Sequence, residues 1–453
     1  MTKQQKLVLV VSILAAAISF LDGTVVNVAL PAIAKELGGG LATQQWVVNA
    51  YLITLGAFIL LAGSLSDLFG RKKVLLLGLK GFGIASVLCA IAPTAFLLTV
   101  SRSVQGLAGA LLVPSSLALI IGAFSGKAQA KAIGIWTSCT SGAIIVGPLV
   151  GGALVDAGSW RWVFAINVPL IAITLFLLRG LHREEEIREH TKVDVRGALL
   201  CTAGLAMTVY ALIEQSKYGW NSPAIFLPLA LGIVSLAAFI WNERRVSNPM
   251  LPLELFAVRN FSFGNLATTF IYAGLSVATF VIVVFIQQVG HYSAFHAGLT
   301  MLPVTVFMIL LSSRFGALAG KYGPRLFMTL GPIIAGLGFI SLLQVDASVS
   351  YVRELLPGIL LFGLGLSMTV APLTSAVLGD IEAKHAGIGS AVNNAIARIA
   401  GLLATAAVGL VVGEHLNVAG FHRGVVFMAA LLIAGGVISF IGIRTKQSSS
   451  TPA

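Results

Sequence analysis

Long apolar runs dominate the chain, and short polar stretches separate them. A helix needs about 20 apolar residues to cross a membrane, whereas the strands of a membrane barrel would show alternation over about ten residues. The pattern predicts fourteen transmembrane helices, at about 7–31, 44–65, 74–93, 95–124, 132–155, 161–180, 196–215, 223–242, 263–286, 297–317, 325–345, 354–378, 387–412 and 423–443. The weakest predictions are the spans at 196–215 and 223–242, which the polar turn Ser216–Ser222 joins. Without these two spans the number would be twelve, and the orientation of the others would be unchanged.

Composition supports a membrane protein. Of the 453 residues, 57% are hydrophobic and 10% are charged, and the mean hydropathy is +0.96. Soluble domains carry about 25% charged residues. These values exclude a soluble enzyme, a disordered chain and a fibrous protein, and they predict an all-α polytopic protein of the lipid bilayer.

The basic residues predict the orientation. Cytoplasmic loops of membrane proteins collect Lys and Arg. With the N-terminus inside, 20 of the 29 basic residues fall in cytoplasmic segments, 5 in outer segments and 4 within spans. This bias predicts that both termini are cytoplasmic and that the number of spans is even. It also explains the net charge of +12 without a nucleic-acid partner.

Two polar stretches divide the spans into six, two and six. Residues 181–195 form the first linker, which we interpret as a solvated helix with a Glu184–Arg188 pair, and residues 243–262 form the second. The predicted domains are therefore a six-helix bundle at 1–180, two inserted helices at 196–242, a six-helix bundle at 263–445 and a tail at 446–453.

An internal repeat agrees with this division. Gly63–Lys72 follows the second span and Gly316–Arg325 follows the tenth. Both begin with the pattern G-x-L-[SA]-x-x-[FY]-G and continue with basic residues. Repeats at matching positions are typical of transporter folds, and their separation by eight spans indicates that spans seven and eight are an insertion.

Charged residues at membrane depth are candidates for function. Asp22 and Arg102 lie at similar depths, about 13 Å and 10 Å from the outer ends of their spans at 1.5 Å per residue, and Gln105 shares the helix face of Arg102. Burial disfavours an ionised carboxylate and a neighbouring Arg favours it. One interpretation is a proton site, and the alternative is a static ion pair that joins two helices.

Other intramembrane residues have simpler interpretations. Lys80 and Arg314 lie close enough to the cytoplasmic side to snorkel. Arg398 lies about 16 Å into its span, where it either caps free carbonyl groups or contacts substrate. Span five carries Gly147 and Gly151 on one face, which permits close helix packing, and Pro148, which bends the helix; we expect this span to form a tightly packed interface.

Several short motifs resemble one family, the major facilitator superfamily. The family's cytoplasmic loop signature is similar to Gly63–Lys72, its fourth-helix motif R-x-x-Q-G to Arg102–Gly106, and its antiporter motif to Gly142–Gly152. Leu21–Pro31, Gln45–Tyr51 and Trp160–Pro169 resemble motifs of its fourteen-helix drug:proton antiporter branch. One departure is Leu68, which stands where the loop signature has Arg, so one basic contact of a conformational latch is missing.

The resemblance implies the major facilitator fold, with two six-helix bundles and two inserted helices. It implies a proton-coupled exporter of amphipathic drugs in a bacterial inner membrane, working by alternating access. The alternative is an exporter or importer of a specific metabolite or lipid-like anion on the same fold. We expect a monomer, with association with a periplasmic adaptor left open.

The resemblance also implies roles for individual residues. Asp22 and Arg102 would couple protons, Gly63, Asp67, Gly70, Arg71 and Lys72 would form the latch, and Gly142, Gly147, Pro148, Gly151 and Gly152 would form the antiporter motif. For the substrate cavity we expect Asn27, Asn49, Tyr51, Gln105 and Arg398.

No enzymatic chemistry is indicated. The sequence has no G-x(4)-G-K-[ST] loop for ATP, and its three Cys lack metal-ligand spacing. We therefore expect no metal, no cofactor and no enzyme activity.

Overall fold

A computed structural model of the protein describes residues 1–181, 194–382, 386–413 and 416–444. The linker predicted at 181–195 and the tail at 446–453 fall almost entirely outside these ranges. The regular structure within them is helical, as expected where lipid offers no partner to backbone polar groups. Thirteen of the described helical stretches are long and apolar enough to cross a membrane.

The described residues of the first part of the chain, up to the second linker, form ten α-helices. They are α1 Lys3–Val25, α2 Leu30–Leu37, α3 Gly40–Phe69, α4 Arg71–Ala90, α5 Ala95–Ala123, α6 Gly126–Asp156, α7 Trp162–Ala165, α8 Asn167–Arg179, α9 Val195–Tyr218 and α10 Pro223–Glu243.

The rest of the described chain forms eight more. They are α11 Arg259–Gln288, α12 Ala294–Leu299, α13 Leu302–Tyr322, α14 Pro324–Ile340, α15 Leu356–Leu378, α16 Ala386–Ala406, α17 Val408–Val412 and α18 Val418–Gly442. Short 3-10 segments occur at Asn27–Ala29, Leu253–Ala257 and Ser341–Gln344, and Tyr351–Leu355 is a π-helical turn.

Several predicted spans are interrupted next to a proline. Proline lacks a backbone N–H and clashes with the carbonyl four residues earlier. The first span changes to a 3-10 turn before Pro31 and then continues to Leu37, beyond the predicted end. The sixth breaks between α7 and α8, before Pro169, and the tenth breaks between α12 and α13, before Pro303. Span thirteen also breaks, at Ala407, where the sequence has no proline to explain it.

The chain divides into two compact units. Unit 1 contains the described residues of Met1–Leu251 together with Ile282–Leu299 and Thr405–Leu416. Unit 2 contains Pro252–Val281, the described residues of Thr300–Ala404 and those from Asn417 onwards. The domain boundaries derived from the sequence stay a prediction.

The hairpin α9–α10 belongs to unit 1. Its two helices approach closely at small residues: a Cβ on Gly204 would lie 3.1 Å from the carbonyl oxygen of Gly232. Helix α9 packs on α3, where Trp46 Nε1 donates to Glu214 Oε1 over 2.8 Å and the rings of Trp46 and Tyr210 lie 6.3 Å apart. The hairpin is thus fixed to α3 by polar as well as apolar contacts.

The internal repeat is visible in the backbone. Gly70 joins α3 to α4 with φ +88° and ψ 132°, and Gly323 joins α13 to α14 with φ +86° and ψ 152°. This conformation strains any residue with a Cβ, which explains why the repeat keeps glycine at this position. The two turns therefore have the same geometry in units 1 and 2.

Unit 2 is also built around glycine contacts. A Cβ on Gly331 would lie 2.6 Å from the carbonyl oxygen of Gly365, and a Cβ on Gly338 would lie 2.6 Å from that of Gly358. These positions bring α14 against α15 over most of their lengths. Such close backbone approach stabilises helix pairs in lipid, where the hydrophobic effect does not drive association between helices.

Candidate functional site

A buried polar cluster lies inside unit 1. Asp22 of α1 and Arg102 of α5 form an ion pair with 2.6 Å between Oδ2 and Nη1, and their side chains are 0% and 2% exposed. The structure thus brings together the two charges that the sequence placed at similar depth. A buried ion pair requires further hydrogen bonds to offset the loss of water.

Asp22 receives those bonds from two amides. Gln105 Nε2 and Asn167 Nδ2 each donate to Asp22 Oδ1 over 2.9 Å. Both amide groups also reach the hydroxyl of Ser86 on α4, at 2.9 Å and 3.4 Å. Both oxygens of Asp22 therefore act as hydrogen-bond acceptors, with three donors in all.

Arg102 has contacts that do not depend on Asp22. Its Nε donates to the carbonyl oxygen of Val47 over 3.1 Å, and its Nη1 donates to Gln105 Oε1 over 2.7 Å. The guanidinium carbon lies 4.3 Å from the ring centre of Tyr51 and 5.6 Å from that of Phe164, and such contacts stabilise a desolvated cation. These contacts hold the arginine independently of its ion pair with Asp22.

Asn167 and Ser86 were missed as site residues by the sequence analysis. Asn167 begins α8 after the break at Ile166, and that break turns its side chain toward α1 and α4. Its Oδ1 is buried and has no hydrogen-bond donor among the described residues. The available signal was a polar residue within the apolar stretch Trp160–Pro169.

The predicted antiporter motif makes two close contacts within unit 1. On one side of α6, a Cβ on Gly147 would collide with Thr24 Oγ1, and one on Gly151 would lie 2.7 Å from the carbonyl oxygen of Val25. On another, a Cβ on Gly152 would lie 2.5 Å from the Cα of Phe295. The expected tight packing of span five is present.

The C-terminal end of α6 also fixes α12. The Asp156 carboxylate accepts hydrogen bonds from the backbone N–H groups of Ala294 at 3.1 Å and of Phe295 at 3.0 Å. A Cβ on Gly298 would lie 2.5 Å from the carbonyl oxygen of Pro148.

We expect the glycines of this motif to differ in their tolerance of alanine. Gly151→Ala and Gly152→Ala should each lower the free energy of unfolding by about 1–3 kcal/mol, because added carbons overpack a tight contact. Gly142→Ala is the matched control, since a Cβ there meets nothing within 4 Å. Thermal unfolding in detergent would measure the effect, and equal losses at all three positions would contradict it.

The predicted latch is only partly described. Gly70 and Arg71 lie at the turn between α3 and α4, and Lys72 Nζ donates to the carbonyl oxygen of Leu181. Gly63 lies in α3, and the side chain of Asp67 is outside the described part of the chain. The proposed Asp67–Arg71 pairing and the latch function stay predictions.

The residues expected to line a substrate cavity lie in different surroundings. Tyr51 and Gln105 belong to the buried polar cluster, and the Tyr51 hydroxyl lies 3.2 Å from Ser19 Oγ. Asn49 is 0% exposed, and both polar atoms of its amide lack a hydrogen-bond partner among the described residues. Asn27 lies half-buried in the 3-10 turn after α1, and Arg398 lies half-buried on α16 in unit 2.

Comparison with known families and relatives gives a consistent result. The family model of the Major Facilitator Superfamily matches residues 12–405. The multidrug resistance protein Stp of Mycobacterium tuberculosis is 34% identical over 422 residues, which cover 92% of this chain and 78% of that protein. The puromycin resistance protein pur8 of Streptomyces alboniger is 32% identical over 467 residues, covering 98% and 92%.

Solved structures agree in fold. The xylose transporter XylE from E. coli, in a partially occluded inward-open conformation, matches with a TM-score of 0.67 and 13% identity, covering 98% of this chain and 99% of that one. A peptide transporter POT matches with a TM-score of 0.70 and 16% identity, covering 96% and 93%. At these identities the likeness establishes the helical transporter fold alone.

Proposed function

Because the chain belongs to the Major Facilitator Superfamily, and is thus a multi-pass membrane transporter rather than an enzyme, we propose that it exports amphipathic drugs in exchange for protons. Relatives named as multidrug and antibiotic resistance proteins support drug export. The observation that supports proton coupling is the Asp22–Arg102 ion pair, which buries a carboxylate inside unit 1.

The cluster has the chemistry that proton exchange requires. When Asp22 gains a proton, it must stop accepting one hydrogen bond and start donating one. Asn167 can receive that bond, because its Oδ1 has no donor in the described structure and an amide can rotate to present its oxygen. The proton neutralises Asp22 and leaves the positive charge of Arg102 without its counter-charge, but Arg102 keeps its hydrogen bonds to Val47 and Gln105.

The energy of a hydrogen bond to a charged group is similar to the energy released when one proton crosses the membrane. A hydrogen bond to a charged group is worth about 1.5–3 kcal/mol. One proton that crosses a potential of 100 mV releases about 2.3 kcal/mol. The driving force is therefore of the size of about one charged hydrogen bond, which is one of the contacts that protonation of Asp22 exchanges.

We propose fourteen spans, as in the drug:proton antiporter branch, with both termini in the cytoplasm of a bacterial cell. The 30-residue helix α3 adds one span to the thirteen candidates. We further propose that the protein works as a monomer, that alternating access moves the substrate, and that the Gly63–Lys72 turn acts as the latch.

The topology can be tested at the hairpin. In a variant with Cys89, Cys139 and Cys201 replaced by Ser, Asn221→Cys should react with an impermeant thiol reagent added outside intact cells, because Asn221 lies in the exposed turn between α9 and α10. Ser247→Cys, in the exposed segment after α10, should react only once the membrane is opened. The reverse pattern would contradict the orientation.

The proposed function is tested by efflux from energised cells. Cells that express the protein should lower their content of cationic amphipathic dyes, and a proton uncoupler should abolish the difference. A parallel set of anionic compounds tests the alternative of a specific metabolite or lipid-like anion, which Arg398 within α16 would favour. Efflux that persists unchanged with the uncoupler would contradict proton coupling.

A further inference from the structure

Two acidic side chains meet at the end of the α9–α10 hairpin from which both linkers leave. Asp194 precedes α9 and Glu243 ends α10, and they are 7% and 3% exposed. A Cβ built on Gly197 would collide with Asp194 Oδ2 and would lie 2.7 Å from Glu243 Oε1. Both oxygens therefore crowd the same point beside the Gly197 backbone, and the two carboxyl groups face each other.

The hydrogen bonds distinguish the two groups. Asp194 Oδ1 accepts from the backbone N–H of Gly197 at 2.9 Å, and its Oδ2 accepts from Asn242 Nδ2 at 2.6 Å. Both oxygens of Asp194 thus act as acceptors, as in an ionised carboxylate. Glu243 Oε2 accepts from the N–H of Leu251 at 2.8 Å, whereas its buried Oε1 has no hydrogen-bond partner in the described chain.

No cation compensates these charges within the described structure. Arg196, Arg244 and Arg245 are exposed, and none forms an ion pair with either carboxyl group there. Arg245 lies over the ring of Trp241 instead, 4.1 Å from its centre. Two buried carboxylates without a cation repel each other, so one of them binds a proton.

The other described side chains around Asp194 and Glu243 supply no positive charge either. On α9 the thiol of Cys201 is buried and lies within reach of the charge on Glu243. On α3, the residues that pack around Ala198 and Met250 beside the pair are Phe58, Leu61 and Leu65. The side chain of Asp67, further along α3, is outside the described part of the chain.

We propose that Asp194 and Glu243 form a proton-binding site, in which Glu243 carries the proton on Oε1 and donates it to Asp194 Oδ2. The proton removes one of two facing charges and supplies the missing partner of Oε1, as in carboxyl pairs that share one proton. The site joins the start of α9, the end of α10 and Leu251, the last residue of unit 1 before Pro252. This inference goes beyond the proposed transport and does not involve Asp22.

Glu243→Gln tests the proposal directly. Glutamine can accept from Leu251 and donate to Asp194, so the variant should fold while it loses the bound proton. In the wild type, thermal stability in detergent should fall as the pH rises through the titration of the pair, because the folded protein holds a proton that the unfolded chain releases. In Glu243→Gln this fall should be lost, together with one protonated-carboxyl band in the infrared difference spectrum.

Two further variants keep the test sharp. Glu254→Gln removes an exposed glutamate nearby and should retain both the fall and the band. Asp194→Asn removes the facing charge while keeping the cap of α9, so the fall should move to lower pH. An unchanged pH profile and band in Glu243→Gln would overturn the proposal, and so would stabilisation of the wild type, but not of Glu243→Gln, by Mg²⁺ or Ca²⁺.

Discussion

Asp22→Asn should abolish the uphill export of substrate that an imposed proton gradient drives. Asparagine has nearly the same shape as aspartate and its oxygen still accepts hydrogen bonds from Arg102, Gln105 or Asn167, so the helices should stay packed. Asparagine cannot take up or release a proton, so the proton gradient can no longer drive the uphill export of substrate. Downhill substrate exchange should continue.

The measurement uses vesicles with reconstituted protein and an imposed pH gradient. Accumulation against the substrate gradient should fall to the level of empty vesicles, while exchange of labelled for unlabelled substrate is retained. Asp346→Asn is the matched control, because Asp346 is an exposed aspartate in the loop after α14. If Asp22→Asn still concentrates substrate, Asp22 is structural and the coupling proton binds elsewhere.

Arg102→Ala should cause the largest loss of stability among the single substitutions considered. It leaves Asp22, which is 0% exposed, without its cation, and breaking a buried ion pair on one side costs about 3–5 kcal/mol. The double variant Asp22→Asn with Arg102→Ala should be more stable than Arg102→Ala alone, since the stranded charge is removed. Thermal unfolding of the purified variants in detergent would measure both differences.

Arg161→Ala provides the comparison at an exposed ion pair. Arg161 Nη1 lies 2.5 Å from Glu36 Oε1, but the two side chains are 31% and 50% exposed. Exposed pairs contribute about 0–1 kcal/mol, so this variant should unfold close to the wild type. A larger loss from Arg161→Ala than from Arg102→Ala would contradict the assigned difference in burial.

The parts of the site that follow from depth and spacing were predictable. Asp22 and Arg102 were matched because helix rise converts sequence position into depth. Gly147 and Gly151 were placed on one face because residues four apart are neighbours on a helix. These inferences needed no knowledge of which helices touch.

The missed features all depend on which helices touch. Asn167 joins Asp22 only because α8 packs on both α1 and α4, and span order does not give that arrangement. Asp156 and α12 are separated by more than 130 residues, and Asp194 and Glu243 meet only when the hairpin closes. Gly142 shows the opposite error: it belongs to a recognisable motif, yet nothing lies near it that a side chain would disturb.

Because the α9–α10 hairpin is attached to α3, it keeps a fixed position within unit 1. A spin label in the turn around Asn221 should keep a constant distance to a label at the end of α4 in every conformation of the protein. The same label should report a changing distance to any element that moves against this unit during the cycle. The hairpin can thus serve as the fixed reference position in distance measurements. A binding protein raised against its turn would bind unit 1 without contacting the buried polar cluster.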